Sequence, residues 1–356
     1  MLAKLLLKAL NEDQLLILSN IKGSRNLPAS SFLRKLSKAS DVSLSSLKLN
    51  SRILREFGLL TYYTAGKTRP IKLTATGRML VDMLVPLKEH VSKKSFSEDQ
   101  AFKGAKTKVL KQGFSTGVGH LPSSLSASDL IASIFRVFSP NMVNSCNSLV
   151  LSKGHAASAL YAMLAEEKAI DEEELLSLGS LGSRLQSHPE RKYLPEALVS
   201  TGSLGQGLSI GVGIALGKKI KREEGKVIVL LGDGELNEGQ IWEAAMSGAH
   251  HTLDNLIAIV DRNLLQLNGN TEEIKRLEPL EEKWSSFGWE TMVTDGHDPE
   301  KLVRIFEQLK SNQTRPVAVI ALTERSGGIK SFKKNLFHYV PTPEEYERAV
   351  IDINES

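Results

Sequence analysis

Two runs constrain what most of this chain can become: VIVLLGDG (Val227 to Gly234) and LIAIVDRN (Leu256 to Asn263). Each is an unbroken apolar, β-rich stretch that ends in a polar turn, and RPVAVIALTE further on repeats the pattern. A strand with one wet face alternates apolar and polar residues, whereas a strand apolar throughout is covered on both faces. GQIWEAAMSGAHHT, PLEEKWSSFG and PEKLVRIFEQLKS lie between these runs and read as helices. Doubly covered strands alternating with helices predict an α/β fold with a parallel sheet and helices on both faces. Ligands in such sheets sit at the carboxyl ends of the strands, where GDG and DRN fall.

The net charge of +4 is a cancellation. Residues 1–94 hold 17 Lys and Arg against 6 Asp and Glu, a net of +11, and the rest hold 28 against 35, a net of −7. So uneven a balance predicts two modules with different partners. The expected division is 1–90, a linker over 91–100 within the polar stretch PLKEHVSKKSFSEDQ, and 101–356. The single cysteine, Cys146, excludes an internal disulfide and any cysteine-based zinc site. No apolar run is long enough to span a bilayer, and Lys4 and Lys8 interrupt the apolar N-terminus before any cleavage signal. A cytoplasmic protein with no membrane contact is expected.

In the basic module, helical patterns run over Asn11–Ile21, from Pro28 through PASSFLRKLSKAS, and over VSLSSLKLNSRILREFG. Their inward positions are Leu15, Leu16 and Leu18, then Phe32, Leu33 and Leu36, then Leu44, Leu47, Leu54 and Phe57. Lys48, Arg52 and Arg55 lie away from that core, and Gly58 is suited to end the third helix. LLTYYTAGKTRPIKLT reads as two short strands around a tip with Lys67 and Arg69, and Thr74 begins a closing helix. Three helices, a basic hairpin and a further helix resemble a winged helix-turn-helix domain, which makes this a small α+β domain. The resemblance implies phosphate contact with DNA through residues 1–90.

In the larger module the two polar turns carry the chemistry. A Gly-Asp-Gly after a strand lets a ligand approach the backbone while Asp233 presents a hard oxygen, and Asn263 offers an amide oxygen 30 residues later. Such donors suit Mg²⁺, or Ca²⁺ in its place, with phosphate oxygens completing the shell. LSKGHAASALYAML, GSRLQSHPE, STGSLGQGLSIGVGIALG, GDGELNEGQIWEAA and VDRNLLQLNG follow in order. Over about residues 101–345 the chain resembles the N-terminal, thiamine diphosphate-binding half of transketolases, and most closely the N-terminal subunits of split transketolases.

That resemblance implies a residue set. Asp233, Asn263 and the Leu265 carbonyl would hold the metal, and Gly234 would let the diphosphate reach a helix N-terminus. Gly202 and Leu204 would touch the cofactor rings, and His155 and His338 its diphosphate. His120, His188 and His338 would bind a ketose and move protons, a task suited to imidazole. Glu238 matches a buried acid at the subunit contact. His90, His250, His251 and His297 carry no motif. The loop GHLPSS departs from the family's glycine-rich form. ERSGG places Glu324 where a positive charge is expected, and Tyr339 stands where glycine is usual. The resemblance implies two-carbon ketol transfer between sugar phosphates, completed by a separate C-terminal, pyrimidine-binding subunit in an α2β2 assembly. The alternative is a DNA-binding transcriptional regulator whose transketolase-like half senses thiamine diphosphate or a sugar phosphate.

Overall fold

The computed structural model describes residues 12–21, 28–40, 43–62, 71–74, 76, 78, 100–140, 145–267, 269–311, 313–332 and 339–355. The chain divides into two compact units, Met1–Glu98 and Asp99–Ser356. Among the described residues no helix is long and apolar enough to cross a membrane.

The first unit packs the helices Glu12–Asn20, Ala29–Ala39 and Leu44–Glu56 around Ile17, Leu18, Phe32, Leu33, Leu36, Leu47 and Leu54. Ser43 caps the third helix by accepting the Ser46 N–H at 3.2 Å. Gly58, at φ +70°, ends it in the left-handed turn that glycine adopts without strain. Strand β1 (Leu60–Thr61) then pairs antiparallel with β2 (Lys72–Leu73), Leu60 facing Leu73. Phe57 is a correction to the expected core: it is 67% exposed, because it caps the helix where the helical period stops. Leu59 and Leu60 fill the core instead. Arg55, expected to point away, lies over the Tyr62 ring at 5.0 Å. Lys67, Arg69, most of the helix expected after Thr74, and residues 91–99 lie outside the described residues.

The second unit contains the parallel sheet. Its strands are β3 (Ser148–Leu151), β4 (Val227–Gly232), β5 (Leu256–Arg262), β8 (Glu290–Asp295) and β9 (Val317–Leu322). They lie in the order β3-β4-β5-β9-β8, all parallel. A two-stranded hairpin, β6 (Leu265–Gln266) with β7 (Gly269–Asn270), follows β5. Alternate residues of each strand divide between two cores. Ile228, Leu230, Ile257, Ile259, Val317 and Val319 face one layer, built from the helices at 100–116, Leu121–Phe138, Ala157–Glu166, Pro299–Gln308 and Pro343–Glu355. Val227, Val229, Leu231, Ala258, Val260 and Ile320 face the helices Gln206–Lys221, Gly239–His250 and Leu280–Ser286. The period of two thus serves both cores at once, which is why these strands read as continuous apolar runs.

Three of the five sheet strands were expected. β3 is covered on both faces but only four residues long, too short to stand out as a run, and β8 is an edge strand with exposed Glu290, Val293 and Asp295, so it lacks the doubly apolar pattern. Close packing of a helix on the sheet rests on Gly211, where an added Cβ would lie 2.4 Å from the buried Val229 Cγ2. Gly213, two residues on and exposed, has nothing within 4 Å. Gly211→Ala should therefore destabilise the unit by about 1–3 kcal/mol despite alanine's better helix propensity. Gly213→Ala should leave stability unchanged or raise it by up to about 1 kcal/mol. Urea unfolding of the two variants checks both signs.

Candidate active site

The carboxyl ends of the strands meet at a buried ion pair. Lys153, just beyond β3, donates to Asp261 near the end of β5, and the two side chains are 1% and 0% exposed. Ser126, on the helix Leu121–Phe138, donates to the same Asp261 oxygen at 2.6 Å, and Thr323, after β9, donates to the other. Burial works against a charge on Asp261, but Lys153 and these hydrogen bonds hold its pKa below the usual carboxylate range. One carboxylate thereby ties three strands and a helix at the edge where a ligand would sit.

Beside it opens a cavity of about 390 Å³, a size usual for small-molecule sites. His120, His155, His188, Gly202, Leu204, Asp233, Gly234, Glu238, Asn263 and Leu265 all line it. These are the expected site residues except His338, which lies outside the described residues. The His120 ring lies edge-on to His155 and His188, with centroids 5.5 and 5.9 Å away. The LPSS of GHLPSS is helical rather than loop. It is the start of the helix Leu121–Phe138, with His120 at the cap and Pro122 in the first turn, where proline fits. His155 rides on the short 3-10 turn Gly154–Ala156. Burial, helped by the Lys153 charge, pushes its pKa down to about 2, and burial also lowers that of His188. Two glycines make the loops fit: a Cβ on Gly154 would meet the Gly202 nitrogen at 2.7 Å, and one on Gly202, at φ +142°, would meet the His188 ring at 2.9 Å.

The oxygen donors line the same cavity. Asp233 is 2% exposed, and burial raises its pKa to about 6. Its carboxylate accepts the N–H groups of Gly234 and Leu264, each at 2.7 Å, and Arg262 at 3.3 Å. The Asn263 amide oxygen accepts the Leu265 N–H at 3.1 Å, and the Leu265 carbonyl accepts Arg325 at 2.8 Å. An amide or carbonyl oxygen has two lone pairs, so Asn263 and Leu265 each keep one, and Asp233 keeps one at Oδ1, its Oδ2 already accepting Leu264 and Arg262. The set fits a hard cation that shares its shell with phosphate oxygens.

Two expectations change. Glu238 is exposed on the single chain, at the cap of the helix Gly239–His250, with its Cβ where a Cβ on Gly205 would fall. The buried acid of this segment is Glu235, which accepts Ser152 Oγ and the N–H groups of Gly205 and Gly232. Gly234 opens a four-residue 3-10 turn and its N–H is held by Asp233, so it is not the free N–H of an α-helix.

Lys153, Asp261, Glu235, Arg262 and Arg325 were not singled out from sequence. Charged residues within or just after apolar strand runs were the available signal, since such groups are buried only when paired. Arg325 also corrects the reading of ERSGG: the positive charge is displaced from position 324 to 325, where the buried guanidinium lines the cavity.

A cavity at the strand ends of a doubly covered parallel sheet is where α/β domains bind their ligands, and a ligand-binding α/β domain is the class this fold and site define. The chain belongs to the transketolase family: residues 109–335 match the family model described as the transketolase thiamine diphosphate binding domain. It is a transketolase-type enzyme subunit. Over 245 residues it is 38% identical to one of the subunits of the apulose-4-phosphate transketolase of Phocaeicola vulgatus, spanning 67% of this chain and 86% of that one. A 6-deoxy-6-sulfo-D-fructose transketolase subunit from a Clostridium species is 39% identical over 241 residues, spanning 66% and 88%. A transketolase from Pichia stipitis, whose crystal structure is a complex with xylulose 5-phosphate, superposes with a TM-score of 0.61 at 25% identity. That match covers 72% of this chain and 44% of the yeast chain.

Lys153→Met leaves Asp261 buried without its cation and should cost about 3–5 kcal/mol, with part recovered in the double variant Lys153→Met/Asp261→Leu. Chemical denaturation distinguishes the two. Because the folded His155 pKa lies far below its unfolded value, the unfolded chain binds the proton first. His155 should therefore remove about 1.4 kcal/mol of stability per pH unit below about 6.5, and none above it. His155→Asn should flatten that part of the stability profile between pH 7 and 5.

Proposed function

We propose that the chain is the cofactor-binding subunit of a two-chain transketolase that transfers a two-carbon ketol unit between sugar phosphates. The observation that carries this reading is the convergence of the Asp233, Asn263 and Leu265 oxygens with His120, His155 and His188 on one cavity. When bound, thiamine diphosphate supplies the carbanion-stabilising chemistry of the transfer. Asp233, Asn263 and the Leu265 carbonyl would hold Mg²⁺, and the Lys153 and Arg325 side chains line the same cavity. His155 stays neutral at working pH, so its ring donates an N–H to the diphosphate without requiring a second buried charge. His120 and His188 would hydrogen-bond a ketose and carry a proton, a role the family resemblance gives His338 as well. Gly202 and Leu204 would seat the cofactor rings.

The bacterial relatives, each named as one subunit of its transketolase, favour a separate partner; we assign to that partner the pyrimidine-binding domain, and to the pair an α2β2 arrangement. Leu264, Leu267 and Ile274, next to the donor wall, are 43%, 64% and 48% exposed, and Glu238 stands uncovered at the rim. A partner seated there would cover these apolar groups and close the cavity to water. Calorimetric titration with thiamine diphosphate and Mg²⁺ tests the donor set. Asp233→Ala and Asn263→Ala should each weaken binding by about 30- to 100-fold, the worth of about 2–3 kcal/mol. Cofactor-dependent ketol transfer from xylulose 5-phosphate should appear only when the partner chain is added. Cofactor binding with no transfer in the presence of that partner would overturn the activity.

A second reading concerns the unit Met1–Glu98 alone. Lys48, Leu49 and Arg52 form an exposed stripe on the helix Leu44–Glu56, and Arg34, Lys35 and Lys38 are exposed or half-exposed on the helix before it. We assign this unit to the winged-helix class and its basic face to duplex DNA. Affinity should fall linearly on a log–log plot with salt, and Lys48→Ala/Arg52→Ala should reduce the slope by about 2. A regulator would in addition change its DNA affinity when thiamine diphosphate is added.

A further inference from the structure

His297, which no sequence motif marks, bridges two structural groups of the second unit. It follows β8, where its own N–H donates to Asp295 at 2.8 Å and the Gly296 N–H donates to the Leu322 carbonyl at 2.7 Å. Its Nε2 accepts the backbone N–H of Glu324 at 2.9 Å. A ring nitrogen that accepts carries no proton, so the proton of the neutral imidazole is on Nδ1, which faces Asp129 at 2.8 Å. Asp129 is 1% exposed and already paired with Lys106 at 2.7 Å, so its charge needs no second cation. The imidazole thus spans a buried carboxylate on the helix Leu121–Phe138 and the first peptide of the turn after β9.

That turn carries two working side chains. Thr323 holds Asp261, and Arg325 reaches into the cavity, where it donates to the carbonyls of Leu265 and Leu267 at 2.8 and 3.4 Å. Leu264 and Leu267 sit at φ +64° and +51°, a conformation costly for residues with side chains, so this donor-bearing loop needs an external restraint. Arg325 provides it, and Glu324 precedes Arg325 by one residue. We propose that His297 is a positioning residue for Arg325: as the Nδ1–H tautomer it fixes the Glu324 peptide, and through it the guanidinium that holds the Leu265 carbonyl toward the cofactor cavity. The proposal rests on the reading of that cavity as the thiamine diphosphate site.

Two conservative variants separate the two hydrogen bonds. Gln places an amide oxygen near the Nε2 position and keeps the acceptor for Glu324, whereas Asn places its amide near Nδ1 and keeps only the donor to Asp129. In full-length protein without cofactor, amide hydrogen exchange at residues 323–328 should quicken at least about tenfold in His297→Asn and stay within about twofold of wild type in His297→Gln. Titration with thiamine diphosphate at saturating Mg²⁺ should follow the same order, His297→Asn binding about tenfold more weakly and His297→Gln close to wild type. In an Arg325→Ala background His297→Asn should add no further loss of affinity. The reverse order, with Asn harmless and Gln impaired, assigns His297 to the Asp129 anchor and overturns the proposal, as do additive losses or two silent variants. If wild type itself binds no thiamine diphosphate, the cofactor reading fails, and the exchange pattern still decides whether His297 holds the turn.

Discussion

Asp261 has no exposed surface, yet its carboxylate stays charged at the end of a strand apolar from Leu256 to Val260. An isolated charge in such a place is prohibitive, so the ammonium of Lys153 and the hydroxyls of Ser126 and Thr323 are conditions of the fold. Each comes from a different element: the turn after β3, a helix on one face of the sheet, and the turn after β9. Meeting the demands of one carboxylate therefore fixes the relative positions of the segments that carry His155, His120 and Arg325. Stability and site geometry share this interaction.

Around that pair the site is built mostly from backbone approach. Gly154 and Gly202 pack peptide against peptide, Gly202 clears the His188 ring, and Gly205 clears Glu238. Side chains at these points would push the three histidine loops apart. The donor set is polar and preorganised: Asp233 is fixed by two N–H groups and a guanidinium before any ligand arrives. Such prior fixing spares the site reorganisation when an anion and its cation bind.

Much of this is legible along the chain. The apolar runs at Val227, Leu256 and Val317 locate three central strands, and the polar turns behind them locate the cavity wall. The resemblance to transketolases gathers ten residues that the fold does bring to one cavity. β3 and β8 are not legible, because β3, though covered on both faces, spans only four residues and β8 is half-exposed. Glu235 and Glu238 show a different limit. Both are acids in one helical turn, and only the folded chain shows that Glu235 is buried under Ser152 and Gly205 while Glu238 is exposed and lines the cavity. Arg325 is obscured by its neighbour Glu324, since a shift of one residue exchanges the side chain that enters the cavity.

The sequence by itself determined the division into a basic and an acidic module, the parallel sheet, and the strand ends as the place of chemistry. Hydrophobic period, charge and glycine position are local properties, and they can be read along a line. Which charges are paired was decided only by tertiary structure. Lys153 and Asp261 lie 108 residues apart, and Asp129 and His297 lie 168 apart. Their partnership depends on the β3-β4-β5-β9-β8 order, which sets strands and their turns side by side regardless of distance along the chain.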